Sequence, residues 1–325
     1  WSAADDGEVD LGSSSVEFKD LYVDGVAYTD ALGFGTVAMT LPTADGSANQ
    51  VLKTDGSGAL SFTSVATSVN GLSDALVEDT GSMYIGNDPS STTDAADYNV
   101  AVGVTALDAI TTGDKNTAVG SLALTDNTTG EQNTAMGYRA LKSATSGSYN
   151  TAAGFEALYI NTHNGNSAFG WRGLRANTSG TYNTASGYMS LVSNTEGDKN
   201  TAMGHRAHHP NTLANYKTSI GAGSLHDANR TADTDGYNVA LGYNAGNTGT
   251  NDITTGNKNT LLGASTAASD VAGTNQTVIG YGASGKGDNT VTIGNGDITL
   301  WSAADDGEVD LGSSSVEFKD LYVDG

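Results

Sequence analysis

The sequence predicts an all-β chain: a parallel β-solenoid, or β-roll, of about twelve coils, with a small β-rich connector ahead of it. Three observations lead there. A short glycine-anchored unit recurs between Asn99 and Asn295. Small and turn-forming residues dominate, with 43 Gly and only 3 Pro in 325 residues, and Gly, Asn and Asp readily take the conformations that tight turns need. The apolar residues fall at a fixed spacing, which a disordered chain does not need.

The unit reads N-T-A-x-G. It runs as NVAVG (Asn99–Gly103), NTAVG (Asn116–Gly120), NTAMG (Asn133–Gly137), NTAAG (Asn150–Gly154), NSAFG (Asn166–Gly170) and NTASG (Asn183–Gly187). It continues as NTAMG (Asn200–Gly204), KTSIG (Lys217–Gly221), NVALG (Asn238–Gly242), NTLLG (Asn259–Gly263), QTVIG (Gln276–Gly280) and TVTIG (Thr290–Gly294). Successive glycines lie 17, 17, 17, 16, 17, 17, 17, 21, 21, 17 and 14 residues apart. A period of this size marks a stacked-repeat architecture. The intervening segments are polar and rich in Gly, as loops are.

Side chains of a strand alternate between two faces. One face of the unit carries Asn, Ala and Gly; the other carries Thr, the residue before Gly and the residue after it. The position before Gly is apolar in eleven of twelve copies. The expected buried core column is therefore Val102, Val119, Met136, Phe169, Met203, Ile220, Leu241, Leu262, Ile279 and Ile293. One 17-residue unit cannot bury that column alone, but stacked units can. Twelve coils spaced ~4.8 Å apart make a rod of roughly 55 Å.

The chain divides by pattern into a connector at 1–98, the roll at 99–300, and a segment at 301–325. Trp301–Gly325 copies Trp1–Gly25 without a change, at an offset of 300 residues. This duplication reads as tandem 300-residue modules, with the last segment starting the next connector. Within the connector, Val16, Phe18, Leu21 and Val23 suggest short strands, and Asp45-Gly46 and Asp55-Gly56 are hairpin signals. Val69–Ile85 reads either as a short helix or as strand-turn-strand.

The N-T-A-x-G coils at Asn99–Asn295 resemble the head repeats of trimeric autotransporter adhesins. That resemblance implies a left-handed parallel β-roll packed as a tight trimer. The segments at Leu11–Gly25 and Leu41–Phe62 resemble parts of phage tail fibres.

Formal net charge is −23. That argues against a nucleic-acid partner, whose phosphates demand clustered Lys and Arg, and against an anionic membrane surface. With no Cys, there is neither a disulfide staple nor thiolate chemistry. No apolar run approaches the ~20 residues that span a bilayer.

Four sets of residues could carry chemistry. Tyr138, Phe155, Trp171 and Tyr188, with His205, follow Gly on successive coils and are candidates for glycan stacking or for packing. Arg139, Glu156 and Arg172 form a ladder of alternating charge in the next column. His205, His208 and His209, with His226 nearby, are candidate metal ligands, although their spacing fits no strong motif. The acidic stretches Asp5–Asp10 and Asp233–Asp235 offer oxygens to Ca²⁺. Gly280–Lys286 imitates a phosphate loop, but Gly287 stands where Ser or Thr is required. No catalytic residue is nominated, and no cofactor other than Ca²⁺ is expected.

The expected function is that of a structural, adhesive, extracellular fibre, either a phage tail fibre or a bacterial surface filament. Its partners would be further copies of itself, with a trimer favoured, and a cell-surface glycan or protein receptor. The alternatives are a glycan-degrading tail spike and an ice-binding solenoid. The latter would use the Thr column of Thr117, Thr134, Thr151, Thr184 and Thr201, interrupted at Ser167.

Overall fold

A computed structural model describes residues 31–34, 37–40, 42, 47, 50–54, 59–64, 75–77, 81–86, 95–226 and 236–300. The strands suggested at Val16–Val23, the Asp45-Gly46 turn, both acidic stretches and the repeated segment 301–325 lie outside these residues. The described residues contain strands and turns but no helix. The chain forms two compact units, Trp1–Gly71 and Leu72–Gly325.

In the first unit, β1 (Ala31–Phe34) pairs antiparallel with β2 (Val37–Thr40). A second antiparallel pair joins β3 (Gln50–Thr54) to β4 (Leu60–Ser64), with Thr54 opposite Leu60. The Asp55-Gly56 turn signal lies between them in sequence but outside the described residues.

The second unit is a parallel β-solenoid. β5 (Ala75–Val77) runs antiparallel to β6 (Met83–Ile85), and every later pairing is parallel, from β7 (Val100–Val102) to β18 (Val291–Ile293). Each N-T-A-x-G copy supplies one three-residue strand, and neighbours align residue for residue, for example Thr134, Ala135 and Met136 against Thr151, Ala152 and Ala153. The twelve copies thus make about eleven turns of coil. Within Val69–Ile85 the described residues include two strands, Ala75–Val77 and Met83–Ile85, and no helix. The ladder also starts one strand earlier than Asn99: Tyr84 takes the Ala position, and Ser82 accepts the Asn99 N–H at 3.0 Å as an Asn would.

The two faces of the strand are the reverse of the expected ones. Ala101, Ala118, Ala135, Ala152, Ala168, Ala185 and Ala202 point inward and are fully buried. The column before Gly points outward: Val119, Met136, Phe169 and Met203 are 40%, 47%, 45% and 44% exposed. Leu241, Leu262 and Ile293 are likewise exposed, while Val102, Ile220 and Ile279 are half-buried. The bore is filled from its opposite wall by the A-L pair after Gly, as in Ala123-Leu124, Ala140-Leu141 and Ala157-Leu158, all fully buried. A leucine facing an alanine closes so narrow a coil. A Met or Phe on the strand side as well would overpack it.

Asparagine belongs inside for a different reason. Each coil turns sharply, and its corner leaves backbone groups that no strand pairs. Asn133 is fully buried; its Oδ1 accepts the Asn150 N–H at 3.0 Å and its Nδ2 donates to Gly147 O at 2.8 Å. Asn116, Asn150 and Asn183 repeat the pattern in their own coils. A second ladder at the far corner links Asn161, Asn177, Asn194 and Asn211 through side-chain amide bonds of 2.6–2.7 Å.

Beside the glycine that ends each strand, the corners use many other residues in the left-handed region. Leu124, Leu141 and Leu158 sit at φ of 50–51°, with Arg139, Glu156 and Arg172 at 52–58° and Lys115, Gln132 and Tyr149 at 55–61°. Each such left-handed residue costs about 1–2 kcal/mol. The cost is tolerated because the turn segments also pair coil to coil, as in Leu124 N–H to Ala140 O at 3.1 Å.

Among the described residues the apolar core falls into two clusters. Between them in sequence, His208 replaces Leu, Lys217 replaces Asn, and Ser219 and Ser224 replace Ala, all of them buried. Lys217 Nζ lies 3.3 Å from His208 Nε2, and the two serine hydroxyls are 2.6 Å apart.

Candidate binding face

Stacking in register brings the residues after Gly into one column. Tyr138, Phe155, Trp171, Tyr188 and His205 form a continuous ring stack, with centroids 5.5, 6.0, 4.8 and 5.2 Å apart and planes within 24° of one another. The sequence-derived glycan candidates are therefore together, but in a form that limits their chemistry. A sugar packs its apolar face on a ring face, and in this stack each inner ring's faces are covered by its neighbours. What reaches solvent is mainly ring edges, so the stack acts chiefly as packing.

The charged column lies one residue further along the coil. Glu156 is only 4% exposed, and its Oε2 accepts hydrogen bonds from Arg172 Nε at 2.9 Å and Arg175 Nε at 2.8 Å. Arg139 Nη1 lies 3.6 Å from Oε1. Arg175 was not anticipated from sequence. It follows the inward Leu174 rather than Gly, and only the coil's path returns it to Glu156. Each guanidinium also rests on a ring: Arg139 on Tyr138 at 4.9 Å, Arg172 on Trp171 at 4.1 Å and Arg175 on Tyr159 at 5.2 Å.

Burial pushes the Glu156 carboxyl up, but hydrogen bonds from Arg175 and Arg172 and the charges of both outweigh it. The net result holds Glu156 below the ordinary value of 4.5. A lowered folded value means the carboxylate contributes stability that is fully present above the unfolded value and is lost as pH falls through the folded one. Glu156→Gln, which loses charge-assisted hydrogen bonds to two partly exposed arginines, is expected to cost on the order of 2 kcal/mol at neutral pH. Urea unfolding at a series of pH values should show wild type and variant converging in acid; a pH-independent gap would contradict this account.

The histidines do not converge. His205 caps the ring stack, His208 points into the core, and His209 stacks on His226 with centroids 5.3 Å apart. Among the described residues no three His, Asp or Glu side chains gather in a metal-binding group. The cause is local: left-handed residues at Arg206 and His208 send neighbouring side chains to different sides of the coil. The Gly280–Lys286 segment forms part of a turn after Thr277–Ile279, bridged through Ser284 to Ala267. Elsewhere, Asn244, Asn247, Thr248, Asn251, Ser265 and Ser284 line a polar depression of about 460 Å³.

These features define a parallel β-solenoid with paired asparagine ladders inside and an arginine-clasped aromatic stack on its flank. Comparison with protein-family models, curated proteins and solved structures finds no match to the chain. No helix among the described residues is long and apolar enough to cross a membrane.

Proposed function

We propose that the chain is a structural module of an extracellular fibre, associating with copies of itself along its outer apolar column and serving in attachment to a cell surface. One observation carries this reading: a stripe of large apolar side chains, from Val119 to Ile293, stands exposed on a regular parallel ladder. Isolated soluble chains rarely line up so many exposed apolar side chains, even though Ala153 and Ser186 interrupt the stripe. Burying each half-exposed side chain is worth about 1 kcal/mol. The seven exposed members of the column thus offset much of an association cost of about 4–15 kcal/mol. Three-fold packing suits a stripe of this kind, because three copies can turn their stripes to one axis. The net charge of −23 would keep finished rods from bundling.

Light scattering and electron microscopy should show an elongated oligomer. The double variant Met136→Glu/Met203→Glu is expected to keep its β circular dichroism, since both side chains face outward, and to become monomeric. A wild-type chain that stays monomeric at high micromolar concentration would overturn the proposal.

A further inference from the structure

The geometry points to a receptor site for an oxyanion borne on a sugar, a carboxylate or a sulfate ester, at the Nη edges of Arg139, Arg172 and Arg175. The inference rests on the reading of the chain as an attachment fibre and names the chemistry of what it would attach to.

The distribution of charge is the first support. The chain has 37 acidic and 14 basic residues and only five arginines, yet Arg139, Arg172, Arg175 and Arg206 occur within five consecutive copies of the repeat. Three of these converge on one carboxylate, leaving the cluster with a net charge of +2 in a strongly acidic protein. A structural ion pair needs one arginine, or two.

The way the clasp is made is the second. Glu156 engages Arg172 and Arg175 through Nε, and it lies beyond hydrogen-bond distance of Arg139. Among the described residues, no Nη of the three arginines donates a hydrogen bond. The side chains are 37%, 34% and 39% exposed, so solvent reaches all three. Paired Nη groups are the edge that matches a carboxylate or sulfate in bidentate geometry.

Preorganisation is the third. Each guanidinium carbon lies over its own ring, 4.1–5.2 Å from the centroid. A ligand would not have to immobilise three long side chains, a cost that usually weakens binding to surface arginines. The exposed ring edges of the stack flank the clasp and offer apolar contact to the sugar carrying the anion. The sugar-binding role first attached to the ring faces therefore passes to the arginine edges, with the rings as supports.

The test is calorimetric titration of the full chain with three probes: sialyllactose for the carboxylate, a chondroitin-sulfate tetrasaccharide for the sulfate ester, and lactose as the neutral control. At least one acidic probe should bind and lactose should not. The arm that binds identifies the anion. Arg139→Gln, whose only ion pair is the long one to Glu156, should fold normally and lose at least tenfold in affinity. Arg172→Lys keeps the charge but loses the fork, and should lose several-fold. Failure of both acidic probes at millimolar concentration, equal binding of lactose, or wild-type affinity in Arg139→Gln would each overturn the inference. Repeating the titration on Met136→Glu/Met203→Glu separates the two readings, because the clasp lies within one chain and should bind there whether or not the fibre forms.

Discussion

Gly137→Ala should destabilise the solenoid by about 3 kcal/mol or more, one of the two largest effects expected of any single substitution here. Gly137 has φ of 130°, a region essentially closed to residues with a Cβ. The added carbon would also sit 2.6 Å from Gly154 O and 2.8 Å from its carbonyl carbon. Both obstacles are backbone in the next coil, which cannot rotate aside. The same glycine column runs from Gly103 to Gly280, with φ of 115–142° throughout. It lets each strand leave the sheet while the coils remain in contact. Urea unfolding followed by circular dichroism would measure the loss. A midpoint unchanged from wild type would show that the coils can separate freely at that corner.

Asn133→Ala is expected to cost about 3–5 kcal/mol. The substitution removes little volume, so cavity formation is a minor part. The loss comes from polar groups stranded in the interior: the Asn150 N–H would lose its 3.0 Å acceptor and Gly147 O its 2.8 Å donor. A buried group left without its partner costs about 1–3 kcal/mol. Asn133→Asp makes a sharper test. At neutral pH it buries a charge and removes the donor to Gly147 O, so it too should be strongly destabilised. Burial without a cation raises the folded pKa of the new carboxyl. Stability should therefore return as pH falls through that raised value toward the ordinary aspartate value of about 3.9. Thermal melts at neutral and acid pH would decide this, and a variant equally unstable at both would contradict the ladder account.

The strands were legible because their signal repeats. Thr-Ala-x before Gly recurs in register, and the solenoid places a strand at every copy from Val100 to Ile293. The antiparallel pairing of β3 with β4 agrees with a reversal of the chain between them. The strand Met83–Ile85 was open between helix and strand, and its place at the head of the parallel ladder was hidden, because Ser82 and Tyr84 fill the Asn and Ala positions with different residue types. The direction of the core was misread for a physical reason. Met136 and Phe169 are more apolar than Ala135 and Asn133, and the usual argument buries the more apolar face. In so narrow a coil, size and hydrogen-bonding capacity decide instead. The clasp was half legible: Arg139, Glu156 and Arg172 share a column, but Arg175 joins them only through corners whose left-handed residues are Leu, Arg and Glu, types that give no turn signal.

Since nearly every interior residue touches its own counterpart one coil away, the two asparagine ladders have no privileged midpoint. A whole rung can be gained or lost by unequal copying and the ladders still close across the splice, whereas a slip of a few residues must be absorbed in a loop, as the spacings of 16 and 21 show. Within its regular coils, ahead of the break at His208, Lys217, Ser219 and Ser224, the molecule is in this sense a ruler that can be cut or extended at any graduation. Its length can change by whole coils there with no new fold to be found.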